Sequence, residues 1–262
     1  MEIIVCIKQV PDTTEVKIDP VKGTLIREGV PSIVNPFDKN AVEAALQIRE
    51  QKGGKVTVIT MGPPQAVDAL RECLAMGADE AILLSDKAFA SSDTWATSYT
   101  LAMAIEKIGN CDLIFCGKQA IDGDTAQVGP GIAEHIGLPQ VTYVQKVREV
   151  KDDELIVERA IEGGFEVISV PVPAMIAVEK SINEPRFPTM MGTMKAHKKE
   201  IPTWGMAELG ADEDKLGMNG SPTRVKRIFA PERKGDGEML HGEDEAEVCL
   251  LLIDKLREKK IV

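Results

Sequence analysis

Residues 113–130 constrain the fold more than any other stretch of the chain. A five-residue apolar run, Leu113-Ile-Phe-Cys-Gly117, passes directly into the polar loop Lys118-Gln-Ala-Ile-Asp-Gly-Asp-Thr-Ala-Gln-Val-Gly-Pro130, and a helical segment follows from about Val128 to His135. A strand that is apolar throughout is covered on both faces, and a helix placed straight after it supplies one of the covers. Such a unit belongs to an open α/β sheet. Its loop lies at the carboxyl edge, where free backbone N–H groups receive nucleotides and other anions.

The same rhythm runs through the first two thirds of the sequence. Ile3–Ile7, Lys55–Met61, Glu80–Leu84 and Asp112–Cys116 read as buried strands. Pro36–Arg49 reads as a helix with Asn35 or Asp38 as its cap and Ala41, Ala44, Ala45 and Ile48 as its apolar stripe. Ala66–Met76, closed by Gly77, and Asp93–Ile108 are two further helices. Val141–Val150 and Glu154–Ala160 alternate instead and flank Lys151-Asp-Asp, which predicts an antiparallel hairpin; Pro171–Val178 returns to an apolar strand. The expected class is therefore α/β, a mostly parallel sheet flanked by helices with a β-hairpin extension.

After Glu179 the character changes, and the expected division is 1–180, 181–203 and 204–262. Ser181–Thr203 is rich in Pro, Met, Gly and Lys, and Leu209–Lys234 in Asp, Gly, Pro and Arg; neither has the periodicity of a core segment. Glu243–Lys259 recovers a helical stripe through Ala246, Cys249, Leu250, Ile253 and Leu256. A polar arm ending in one amphipathic helix is expected to dock that helix on a partner.

Charge and composition exclude several functions. Lys and Arg total 31 against 42 Asp and Glu, a net charge of -11, which disfavours nucleic acid as a partner. No apolar run approaches the ~20 residues of a membrane span, and the N-terminus lacks the regions of a signal peptide. Cys6, Cys73, Cys111, Cys116 and Cys249 form no CxxC, so buried thiols and a reducing cytoplasm are expected. His135, His197 and His241 have no metal-ligand spacing, and no Ser-His-Asp or Cys-His pairing is visible. An electron carrier, in which a bound cofactor does the chemistry, fits that pattern.

The candidate ligand residues gather at one sheet edge. Gly117, Gly123 and Gly129 permit sharp turns and close approach, while Thr125, Gln127 and the N–H of Val128 can donate to phosphate. Asp122 and Asp124 would repel phosphate; holding the loop or accepting from ribose hydroxyls suits them better. Thr94 and Thr97 open a helix after the preceding strand, and Cys6-Ile7-Lys8 follows the first strand with Lys8 as the only cation near that edge. Gly62 ends the second strand at a similar place. The same residues also fit a plain strand–helix connection with aspartate caps. Met190, Met191, Met194 and Lys195 read as an exposed, Pro/Gly-broken loop suited to docking a protein partner.

Taken in order, Cys6-Ile-Lys-Gln-Val-Pro-Asp12, Asn35-Pro-Phe-Asp38, Gly77-Ala-Asp-Glu80, Gly117–Gln127, Val157-Glu-Arg-Ala-Ile-Glu-Gly-Gly164, Asn183-Glu-Pro-Arg-Phe187 and Met194-Lys-Ala closely resemble the β subunit of electron transfer flavoproteins. The resemblance implies a Rossmann-like domain in an αβ heterodimer, with the C-terminal arm wrapped on the α subunit. Respiratory members hold a structural AMP in β; electron-bifurcating members of anaerobes hold FAD there and a second FAD in α. Asp122-Gly-Asp-Thr-Ala-Gln-Val-Gly129 resembles the bifurcating form, so FAD is expected over AMP. The resemblance further implies NADH as donor and two outlets, ferredoxin or flavodoxin and, through the α-subunit FAD, an acyl-CoA dehydrogenase. Enoyl-CoA, caffeyl-CoA and lactate systems are similar alternatives. Met190 falls where a leucine anchors the dehydrogenase in respiratory proteins, and Arg159 near the α-subunit flavin domain. Two other readings stay open: a non-bifurcating subunit with AMP, and an adenine-nucleotide-binding structural or signalling module.

Overall fold

A computed structural model describes residues 1–12, 31–226 and 237–262. In chain order, β1 (Glu2–Cys6), β2 (Gln9–Pro11) and β3 (Ser32–Val34) precede α1 (Pro36–Lys52), β4 (Lys55–Met61), α2 (Val67–Met76) and β5 (Glu80–Leu84). Then come α3 (Thr94–Ile108), β6 (Leu113–Gly117), α4 (Val128–Ile136), β7 (Gln140–Val150), β8 (Glu154–Ile161), β9 (Gly164–Pro171) and β10 (Ala174–Val178). The last elements are α5 (Met190–Lys198), β11 (Thr203–Trp204), α6 (Met206–Leu209) and α7 (Glu245–Glu258).

Nine of the described strands form one sheet in the order β11-β5-β4-β1-β6-β10-β7-β8-β9. All pairs from β11 to β7 are parallel, and β7–β8 and β8–β9 are antiparallel. The expected α/β class and hairpin are therefore correct, but the extension has a third strand, β9.

Strand alternation sorts the core into two layers. Ile3 and Val5 of β1 and Leu113 and Phe115 of β6 face α1 and α2, while Ile4, Cys6, Ile114 and Cys116 face α3 and α4. A two-residue period with both faces apolar demands helices on both sides. The predicted stripe of α1 (Ala41, Ala44, Ala45, Ile48) is buried as expected. Phe115 is the largest fully buried side chain. Phe115→Ala is expected to lower unfolding free energy by about 3–5 kcal/mol, read by urea denaturation; a loss under ~1 kcal/mol would mean this layer is not close-packed.

Two expectations beyond Glu179 need correction. Met190, Met191 and Met194 lie on a helix, α5, with the Thr189 hydroxyl accepting from the Gly192 N–H at 2.9 Å. Gly192 breaks the pattern in sequence because a Cβ there would collide with the Ala75 carbonyl of α2, where the two helices cross. Nor are the tail segments without a core: Ala196, Leu209 and Leu216 are buried, and β11 extends the sheet beside β5. Residues 227–236 of the predicted arm lie outside the described residues. Among the described residues, no helix is long and apolar enough to cross a membrane.

Candidate functional site

β1 and β6 are neighbours, yet the helices that follow them pack on opposite faces of the sheet, α1 on one and α4 on the other. The loops leaving these strands part, and a crevice opens at their carboxyl ends. The candidate residues distribute around this switch point.

The loop after β6 carries the clearest signs of a built site. Asp124 and Ala126 adopt φ of 50° and 54°, left-handed conformations that cost non-glycine residues energy and that persist where neighbouring structure imposes them. Gln127, at the N-cap of α4, makes no side-chain capping bond, so no side chain caps the backbone donors of Val128 and Gly129. Gly129 is buried in that turn, and a Cβ there would lie 2.8 Å from Cys116 Sγ. Nothing lies within 4 Å of where a Gly123 Cβ would stand, so the loop tip is open. Thr125 and Gln127 are exposed. Backbone donors with little side-chain cover suit the diphosphate of a dinucleotide.

The two aspartates hold the loop, as their charge suggested. Asp122 accepts from Lys8 Nζ at 2.7 and 2.9 Å, bridging the loops after β1 and β6. Asp124 accepts from Gln119 Nε2 at 2.7 Å. Lys8 is not the only cation at this edge: Lys118 pairs with Glu179 at 3.0 Å and lies over the Phe37 and Tyr143 rings.

The remaining candidates separate into support and periphery. Cys6 is buried and in register with Cys116, and the Ile7 N–H donates to the Ile59 carbonyl at 2.9 Å. Gly62 ends β4 on the same edge, its N–H donating to the Leu84 carbonyl at 3.0 Å. Asp93 caps α3 by accepting from the N–H groups of Trp95 and Ala96, so Thr94 is the first helical residue and Thr97 the fourth. Ser98 joins this helix to the crevice, its hydroxyl donating to the Thr94 carbonyl at 2.7 Å and meeting the Val128 carbonyl at 3.2 Å. Met190, Met191 and Met194 are exposed on α5, which packs on α2, and Arg71 Nη1 donates to the Ala196 carbonyl at 2.6 Å.

Sequence reasoning offered Asn35 or Asp38 as the cap of α1; Asn35 stands at the N-cap position, but both side chains bond elsewhere. The Asn35 side chain makes no cap bond; its Nδ2 donates to the Gln119 carbonyl at 2.8 Å and its Oδ1 accepts from the Ile121 N–H at 3.2 Å. Asp38 accepts from the Lys8 N–H at 2.7 Å and from the Gly117 N–H at 2.9 Å. The one available signal was a polar residue at a position where α1 faces the sheet.

Among the described residues, no group of three or more His, Cys, Asp or Glu is placed to hold a metal ion. The family description "Electron transfer flavoprotein domain" matches residues 22–209. Subunit CarD of the caffeyl-CoA reductase-Etf complex of Acetobacterium woodii is 53% identical over 263 residues, spanning the whole of both chains. Electron transfer flavoprotein subunit beta of Clostridium acetobutylicum is 53% identical over 262 residues, again end to end. Protein FixA of Azorhizobium caulinodans is 49% identical over 243 residues, covering 90% of this chain and 86% of that one.

Proposed function

This chain belongs to the electron transfer flavoprotein domain family, and from that premise we propose that it is the β subunit of an electron-bifurcating member. In this reading it holds FAD at the β1/β6 crevice, receives hydride from NADH and divides the electrons. One goes to ferredoxin or flavodoxin; the other goes through a second FAD in the α subunit to an acyl-CoA dehydrogenase-type partner. A flavin suits that task because it accepts two electrons together and releases them singly.

The observation that carries the reading is the start of α4, capped by no side chain and with Gly129 in its first turn, after a loop shaped by left-handed Asp124 and Ala126. The chain's own work there is binding and orientation. Backbone donors of the loop and α4 take the diphosphate, and Thr125 and Gln127 add side-chain donors. The Lys8–Asp122 bridge keeps the loop against β1. The Asp122–Gly129 sequence supports FAD over AMP. The end-to-end likeness to a subunit of a caffeyl-CoA reductase-Etf complex supports association with a CoA-ester reductase. The exposed Met190, Met191 and Met194 with Lys195 on α5 form the surface for that partner.

Denaturing the purified αβ complex and separating its ligands tests the proposal. Two FAD per heterodimer and no AMP are expected; one FAD with one AMP would assign the chain to the non-bifurcating members.

A further inference from the structure

Asp38 occupies a place that helix capping does not explain. It is a buried carboxylate in the first turn of α1, without a cation among its hydrogen-bond partners. Such a group is costly unless its oxygens are satisfied. Both are, by the N–H of Lys8 just beyond β1 and that of Gly117, the last residue of β6. Contact is close enough to dictate the neighbour: a Cβ at Gly117 would lie 2.5 Å from Asp38 Oδ1 and 2.5 Å from Phe37 Cβ. Asn35 acts from the same turn on the Gln119 carbonyl and the Ile121 N–H.

We propose that Asp38 is the positioning residue of the nucleotide edge: its ionised carboxylate holds the loops after β1 and β6 at the separation that receives the ligand. The proposal rests on the reading that a nucleotide binds there. Asp38 acts through the two loops.

Burial brings the ionisation of Asp38 toward neutral pH, and several charged or titratable groups surround it. From β1 and its loop come the Cys6 thiol and Lys8, whose ammonium is turned onto Asp122. The Cys73 thiol of α2 also feels the charge of Asp38, as does the Cys116 thiol of β6 from the opposite face of the sheet. On its own helix lie Asn35 and Lys39, the latter engaged by Glu72 at 2.6 Å. Burial pushes the carboxyl up to about 7, against the opposing pull of the Lys8 N–H, Asn35 and the Gly117 N–H. Ionised, Asp38 accepts from both loops. Protonated, one oxygen carries a hydrogen and becomes the poorer acceptor, so the hold on one side weakens.

Stability and ligand affinity should then move in opposite directions. The folded-state value lies above the unfolded one, so the stability that Asp38 contributes is fully present below about pH 4 and lost as pH rises through about 7. The two-sided hold on the loops is complete only above that range. A merely structural residue would not weaken the fold and tighten the site together.

The test uses the full chain with its companion subunit, stripped of nucleotide. FAD is titrated at pH 6 to 8, and the unfolding temperature of the stripped complex is followed alongside. Wild-type affinity is expected to rise up to about tenfold across the range, the limit being roughly tenfold per unit for one proton, with no gain in unfolding temperature. Asp38→Asn sets an amide N–H against a backbone N–H; at pH 8 it should bind about tenfold or more weakly, with a flat pH profile. Gly117→Ala displaces the carboxylate without altering charge and should give the same loss, which keeps the test decisive if Asp38→Asn fails to fold. Equal wild-type binding at pH 6 and 8, or variants within about threefold of wild type at pH 8, would overturn the proposal. A complex that binds neither FAD nor AMP at pH 8 would instead remove the nucleotide reading, and the proposal with it.

Discussion

Replacing Asp122, Gly123, Asp124 and Thr125 by a short Ala/Ser stretch is expected to empty the β-subunit edge of its nucleotide while the α-subunit flavin stays bound. The change removes Asp122, which bridges Lys8 to this loop, and Asp124, which anchors Gln119. It also removes the left-handed Asp124 that shapes the approach to α4. Exposed ion pairs contribute only about 0–1 kcal/mol each, so the larger effect is loss of a preformed loop whose ordering the ligand must then drive. A fall in affinity of about a hundredfold is the expected scale, read as ligand content after gel filtration and by calorimetric titration. Global stability should change little, since all four residues are exposed. Unchanged nucleotide content would place the binding site elsewhere.

Deleting residues 243–262 is expected to separate the two subunits. α7 has no buried residue, although Asp244 caps it by accepting from the Glu247 N–H at 2.8 Å and its last turn carries Lys255 and Arg257. Leu250 is 64% exposed, and Leu251, Leu252 and Ile253 are also exposed on this helix. An apolar surface of this kind on a capped, regular helix is a docking face in search of cover. Burying each large aliphatic side chain contributes about 1.5–3 kcal/mol. Losing three or four of them should weaken association by about a thousandfold or more. Sedimentation of the truncated pair would show free subunits at micromolar concentration; an intact heterodimer would mean that other surfaces carry the assembly.

The central sheet was legible because its strands are covered on both faces. β4 and β5 begin and end where expected, and β6 and α4 differ by a residue at their ends, since continuous apolar runs between helices leave few alternatives. β9 escaped notice for the opposite reason. Gly-Phe-Glu-Val-Ile-Ser-Val-Pro mixes polar and apolar residues on an edge strand, only Val170 is buried, and its pairing with β8 more than its own pattern makes it a strand. α5 was hidden by Gly192, whose missing side chain serves the crossing with α2 rather than a turn.

The ligand edge divides along the same line. Gly123, Asp122, Asp124 and Gly129 follow one another closely, so their composition already announces a loop that avoids side chains and then starts a helix. Asn35 and Asp38 stand in an ordinary capping pattern, and nothing local distinguishes them from caps. Asp38 takes its hydrogen bonds from residues 30 and 79 positions away. Periodicity and turn chemistry act over a few residues and are therefore written into the chain order. The donors that a buried carboxylate meets depend on which strands lie side by side, and that is decided when the sheet assembles.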